Sequence, residues 1–227
     1  MLADALRTRI KDLSFRTGLY SRTFFERYPY CFTPNQLIFL ANSLLQRRDI
    51  PGCVVEAGVY QGATTIFLAR FMAENIIGKR YVSIDTFAGF LPVHAEHEIR
   101  VRHKRWRIRD IFSDNKKQWY DYSLKLGNVT NVESHQADIG SFDFDKIAPI
   151  AFCLLDVDFY IPTKEALPKI YRAMSPGGII VVDDCKAGGD WDGALQSYRE
   201  FCAEHAIRET IVCEKLGLIE KTRCRVT

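Results

Sequence analysis

Two apolar runs, each closed by a pair of carboxylates, constrain this chain more than any other feature. Ala151 to Leu155 leads into Asp156-Val-Asp158, and 27 residues after Asp156 the run Ile179 to Val182 leads into Asp183-Asp184. An unbroken apolar run of this length is the pattern of a strand buried on both faces, as in a parallel sheet covered by helices. Four acids then gather where two strands end, at the edge where open α/β sheets bind ligands. Like charges that close repel unless a cation or a shared proton offsets them, so the pattern predicts a metal site. Each acid also has a plainer use: Asp158 can cap a helix beginning near Thr163, and Asp184 a turn before Lys186.

The rest of the chain alternates strand and helix around these runs. Residues 1–50 read as a helical extension, with Thr33-Pro34-Asn35-Gln36 as a helix start and Leu37, Leu40, Ala41, Leu44 and Leu45 as one apolar face. From residue 51 to 227 the pattern gives strands at Cys53–Glu56, Arg80–Ile84, Asn131–Gln136, Ala151–Leu155 and Ile179–Val182. Helices are predicted over Ala63–Ala73, Thr163–Met174 and Trp191–Glu204, with Ser175-Pro-Gly-Gly178 stopping the second of them. Glu209–Glu214 and Leu216–Lys221 form a final antiparallel pair. Such alternation with right-handed crossovers predicts an α/β fold with a mostly parallel, doubly wound sheet. Residues 91–118 show no clean period and read as an inserted lid.

Glu56-Ala57-Gly58-Val-Tyr60-Gln-Gly62 places two glycines between a buried strand and a helix, where the backbone can turn tightly beneath a ligand. The spacing is not GxGxxG, which favours a nucleoside without a diphosphate over a dinucleotide. Asp85, 27 residues beyond Gly58 at the end of the second strand, can accept from ribose hydroxyls or cap the next helix. Asp138, after the third strand, can meet an adenine amino group or cap a turn.

In this order and spacing, four segments resemble the metal-dependent macrocin and mycinamicin type sugar O-methyltransferases, a branch of the class I S-adenosylmethionine (SAM) methyltransferases with a Rossmann-like fold. They are Glu56-Ala-Gly-Val-Tyr-Gln-Gly62, Ser83-Ile-Asp-Thr-Phe-Ala-Gly89, Leu155-Asp-Val-Asp-Phe-Tyr160 and Ser175-Pro-Gly-Gly-Ile-Ile-Val-Val-Asp-Asp184. The resemblance spans about Val54 to Phe201. It implies that Glu56, Ala57, Gly58, Tyr60 and Gly62 cradle the methionine part of SAM, and that Asp85 takes the ribose. Thr86 and Phe87 would flank ribose and adenine, with Ala137, Asp138 and Ile139 at the adenine edge. It further implies Mg2+ or another divalent cation on Asp156, Asp183 and Asp184, with Asp158 as general base, and a small-molecule hydroxyl as acceptor. The chain departs from the pattern at Val157, where glycine is usual, and at Cys185, where an aromatic is common; both are expected to border the acceptor pocket.

Composition closes off other classes. The chain has 227 residues, 47% hydrophobic and 12% aromatic, and a net charge of +3, which suits a globular protein and no general polyanion binder. Between Glu98 and Lys117, however, eight Lys/Arg face three acids. This stretch, with Trp106 among its arginines, reads as a solvated or interface face, as a lid over an acidic substrate, or as an RNA contact. His94, His97 and His103 lie nearby without ligand spacing, and His135 reads as structural. Seven cysteines without CxxC are expected to be free thiols in a reducing compartment. No signal-peptide core or membrane-length run is present, so a soluble, cytoplasmic protein with no membrane partner is expected. A small-molecule acceptor is favoured over nucleic acid, with a methyltransferase acting on RNA or a phosphorylated metabolite through the basic lid, or a non-catalytic SAM- or nucleotide-binding module, as the alternatives. The apolar N-terminal helix and the lid favour a homodimer.

Overall fold

The computed structural model describes residues 29–222 together with Leu6, Arg9 and Leu13, so half of the expected N-terminal extension lies outside the described residues. The chain divides into two units, Met1–Cys31 and Phe32–Thr227. The second begins well before residue 51, because helix α1 (Pro34–Leu45) is part of it. Thr33 and Gln36 close the expected capping box at its start, and Gln36 Nε2 donates to Cys213 O at 2.9 Å.

The remaining elements run β1 (Cys53–Ala57), α2 (Ala63–Glu74), β2 (Tyr81–Asp85), α3 (Pro92–Arg100), a 3-10 turn (Trp106–Asp110), α4 (Lys117–Leu126), β3 (Val132–Gln136), β4 (Ile150–Leu155), α5 (Tyr160–Ala173), β5 (Met174–Val182), α6 (Gly193–Glu204), β6 (Ile211–Val212) and β7 (Leu216–Glu220). They form one seven-stranded sheet in the order β3-β2-β1-β4-β5-β7-β6. The first five strands are parallel; β7 runs antiparallel to β5 and to β6. The expected doubly wound sheet with an antiparallel C-terminal pair is therefore the fold.

Every residue of β1 and β4 is buried, which is why, Glu56 apart, their sequences are apolar without alternation. Val55, Ala57, Cys153, Leu155, Ile180 and Val182 form one core with α5 and α6. The opposite face carries Glu56, whose carboxylate meets Thr65 on α2. Two boundaries differ from expectation. α5 starts at Tyr160 rather than Thr163, so Phe159, not Asp158, is its N-cap. β5 begins at Met174 and contains Ser175-Pro-Gly-Gly178, because its pairing with β4 continues across a register shift to Ile150 and Gly177 N reaches Lys221 O. Within 91–118 the backbone is ordered as α3, the 3-10 turn and the start of α4.

Candidate active site

The ladder carries the acids to one place. Asp156 N donates to Ala57 O at 2.8 Å and Asp183 N to Leu155 O at 2.9 Å, so the ends of β1, β4 and β5 stand side by side. Oxygens of Asp156, Asp158 and Asp184 lie within 4.8 Å of one another. Asp158 and Asp184 both hold left-handed backbone, φ 61° and 55°, which non-glycine residues adopt rarely and at a cost. Around Asp158 the chain closes a three-residue turn, Phe159 N to Val157 O at 2.6 Å, that lifts its carboxyl toward its neighbours. Asp183 is the buried member: Lys215 Nζ donates to its Oδ2 at 2.6 Å and to Asp184 Oδ1 at 3.2 Å, while Asp183 Oδ1 has no partner.

Desolvation, then the charges of the other acids, raises the carboxyls of Asp156 and Asp158 well above the usual range. The same causes bring Asp183 up to about 6, against the pull of Lys215. Burial opposes the charge on Lys215, but Asp183, Asp184 and Asp156 outweigh it and keep it an ammonium. The clustered oxygens of Asp156, Asp158 and Asp184, with the partnerless Oδ1 of Asp183 on the adjoining residue, are hard donors that fit a divalent cation such as magnesium.

Beside the acids, Gly58, Tyr60 and Gly62 turn the chain from β1 into α2 with φ of 82°, 46° and 86°. The glycines serve the protein's own packing. A Cβ on Gly58 would overlap the carbonyl oxygen of Asp156, and one on Gly62 would lie 2.9 Å from the ring of Tyr120. Asp85 braces this turn: Oδ2 accepts from Val59 N at 2.8 Å and Tyr60 N at 3.0 Å, and Oδ1 from Phe87 N at 2.7 Å. That leaves Asp85 one in-plane lone pair for a ribose hydroxyl. No side chain caps α2 at Gly62, so its first N–H groups are open to an anionic ligand group.

Other expected contacts sit differently. Glu56 is 1% exposed, its Oε2 taken by Thr65 Oγ1 and Tyr81 OH, both at 2.6 Å, and burial lifts its carboxyl to about 7. With Ala57 also fully buried, these two residues shape the turn from beneath and offer no surface to a ligand. Phe87 is buried against Tyr120, 5.1 Å between centroids. Thr86 Oγ1 donates to Gly89 O, and Ala137 N to Asp85 O, which ties the third strand's end to the second. Asp138 caps its own turn, accepting from Gly140 N and Ser141 N, and Ile139 is buried in the core. Cys185 is turned into the core against Gly217 and does not border an acceptor pocket.

The sequence did not foretell what covers this edge. Phe90 stacks on Phe159, the neighbour of Asp158, at 3.9 Å; Phe112 and Trp191 complete the group, and Tyr60 joins it through Phe112 at 4.9 Å. Two cations of the basic segment, Arg102 and Lys104, are held inward, while Arg105, Arg107 and Arg109 are exposed. Arg102 pairs with buried Glu98 at 2.8 Å and Asp192 at 2.6 Å, Lys104 with Asp192 at 2.6 Å, and Arg105 with Asp190. Glu98 Oε1 in turn accepts from Tyr160 N at 2.7 Å, capping α5 from 62 residues away. Arg102 and Glu98 stand four residues apart, a helical spacing, but partners at 190 and 192 leave no such signal.

Residues 36–214 match the family described as Macrocin-O-methyltransferase (TylF). The chain belongs to this family. Among characterised relatives, the 8-demethyl-8-(2,3-dimethoxy-alpha-L-rhamnosyl)-tetracenomycin-C 4'-O-methyltransferase of Streptomyces olivaceus is 26% identical over 156 residues, 66% of this chain and 59% of the relative. The mycinamicin III 3''-O-methyltransferase of Micromonospora griseorubida is 25% identical over 180 residues, 73% of this chain and 66% of the relative. The chain thus spans about three fifths to two thirds of these relatives' length. Of solved structures, the O-methyltransferase NovP shares the fold with a TM-score of 0.69 and 17% identity, covering 83% of this chain and 79% of NovP. Among the described residues, no helix is long and apolar enough to cross a membrane.

Proposed function

We propose that this macrocin-family chain is a SAM-dependent, divalent-cation-dependent O-methyltransferase acting on a hydroxyl of a glycoside or related small natural product. The observation that carries the reading is the backbone contact between Gly58 and Asp156, which locks the nucleoside turn of β1 against the acids of β4. A donor held on that turn and an acceptor held at the acids would then meet at fixed separation. The family match and the sugar O-methyltransferases among its relatives support the reaction class.

When bound, SAM supplies an electrophilic methyl group, and a divalent cation, magnesium by donor type, supplies Lewis acidity that eases loss of the acceptor's proton. Asp156, Asp183 and Asp184 would hold the cation. Asp158, beside them on its three-residue turn, would take the proton from the acceptor hydroxyl. Asp85 and the open first turn of α2 would fix the ribose and the methionine carboxylate. The rings of Phe90, Phe112 and Trp191 would face the apolar side of the acceptor and limit water. Arg102, Lys104 and Arg105 are each bound to an acid of the chain, which favours a neutral acceptor over RNA or a phosphorylated metabolite.

A methyl-transfer assay over a panel of glycosides and catechols, with and without EDTA, tests the proposal. Transfer to a vicinal diol that EDTA abolishes is expected. Transfer indifferent to EDTA, or calorimetry in which NADH binds and S-adenosylhomocysteine does not, would overturn it.

A further inference from the structure

The cation that meets the acids comes from the far end of the sheet. Lys215 stands in the turn joining β6 to β7, and its carbonyl accepts from Cys185 N at 2.7 Å, which pins the turn beside Asp184. Its side chain passes over the ring of Phe32, 5.0 Å from the centroid, and is 19% exposed. Its ammonium bonds one oxygen of Asp183 and one of Asp184, while the other oxygen of Asp183 is buried without a partner. A carboxylate held by one oxygen keeps a single orientation and offers its second oxygen to a ligand. One fixed positive charge therefore faces four carboxyl groups.

We propose that Lys215 is a tethered counter-ion of this acid group, a positioning residue that aligns Asp183 and Asp184 for a divalent cation and, by its own charge, limits how tightly that cation binds. This rests on the metal reading given above. Two consequences of opposite sign follow from removing the ammonium. Without metal, Asp183 is left buried with neither oxygen partnered, which destabilises the fold. With metal, a repelling charge a few ångströms from the ion is gone, and affinity rises. A lysine that merely decorates the surface would cause neither.

Manganese titration calorimetry, with thermal melting in EDTA, on wild type, Lys215→Met and Lys215→Arg tests this. Lys215→Met should melt about 8 °C lower in EDTA and bind manganese about tenfold more tightly, so that the metal recovers most of the lost stability. Lys215→Arg should stay within about threefold of wild-type affinity, since it keeps the charge. If Lys215→Met does not fold without metal, Lys215→Gln, which can still donate to Asp183 without carrying a charge, is compared with wild type; manganese should again bind more tightly without the ammonium. Equal or weaker binding in the lysine-free member of either pair overturns the proposal while leaving the metal site standing. No manganese binding by wild type or any variant overturns both.

Discussion

Gly58 and Asp156 touch backbone to backbone: the space a Cβ on Gly58 would fill is taken by the carbonyl oxygen of Asp156. The two residues end neighbouring strands, and Gly58 holds φ 82°, a region closed to most side chains. One atom pair thus joins the turn proposed for the nucleoside to the acids proposed for the metal.

Gly58→Ala should therefore damage both halves at once. Strained backbone and a clash with an immobile carbonyl predict a loss of about 3 kcal/mol or more. Chemical denaturation measures that loss, and the stabilisation by both manganese and S-adenosylhomocysteine should fall with it. A variant that keeps wild-type stability would show that the turn can move independently of β4.

Asp158 and Asp184 lie in one carboxylate group but are assigned different work. Asp158→Asn should lower kcat by about 10²- to 10⁴-fold, the usual worth of a positioned base, with metal-induced stabilisation retained. Asp184→Asn should remove the metal response as well. Loss of the metal response in Asp158→Asn would place its carboxylate among the ligands, as its proximity to Asp156 and Asp184 permits.

Glu56 makes a prediction in pH. Burial raises its carboxyl from 4.5 to about 7, so between those values the folded chain binds more protons than the unfolded chain. Stability from this group is complete below about pH 4.5 and is lost as pH rises through 7. Glu56→Gln should be more stable than wild type at pH 8, by up to roughly 3 kcal/mol, with the difference vanishing near pH 4. Urea midpoints at the two pH values check this, and the comparison cancels the similar contribution of Asp183. A constant difference across the range would contradict the buried, ionising Glu56.

Arg102 should matter more than its basic neighbours. It is the cation on buried Glu98 and also reaches Asp192 and Gln196. Arg102→Met leaves Glu98 with only Tyr160 N, a loss of roughly 2–4 kcal/mol, part of which Glu98→Gln should restore in the double variant. Arg105→Ala, on an exposed pair, should leave the melting temperature unchanged. Equal effects at the two positions would mean the segment is held by its aromatic residues instead.

Much of this was legible before any coordinates. Apolar runs ending in acids, glycines after a buried strand, and a capping box at Thr33 are local patterns, and burial on both faces of β4 and β5 leaves such runs little else to become. They determined the parallel sheet, the edge at which ligands bind, and the gathering of four acids there. The sequence could not say which oxygen each acid offers, because that depends on partners remote along the chain. Asp183 takes its one hydrogen-bonded orientation from Lys215, 32 residues away on an antiparallel turn. Glu56, expected at the cofactor, is held beneath the turn by Thr65 and Tyr81, and Arg102 and Lys104 of the insertion face Asp192 rather than solvent. The sequence alone determined where charge collects, since strand ends follow from local hydrophobicity. Only the tertiary structure decided how that charge is compensated, since compensation needs a partner brought near by the fold.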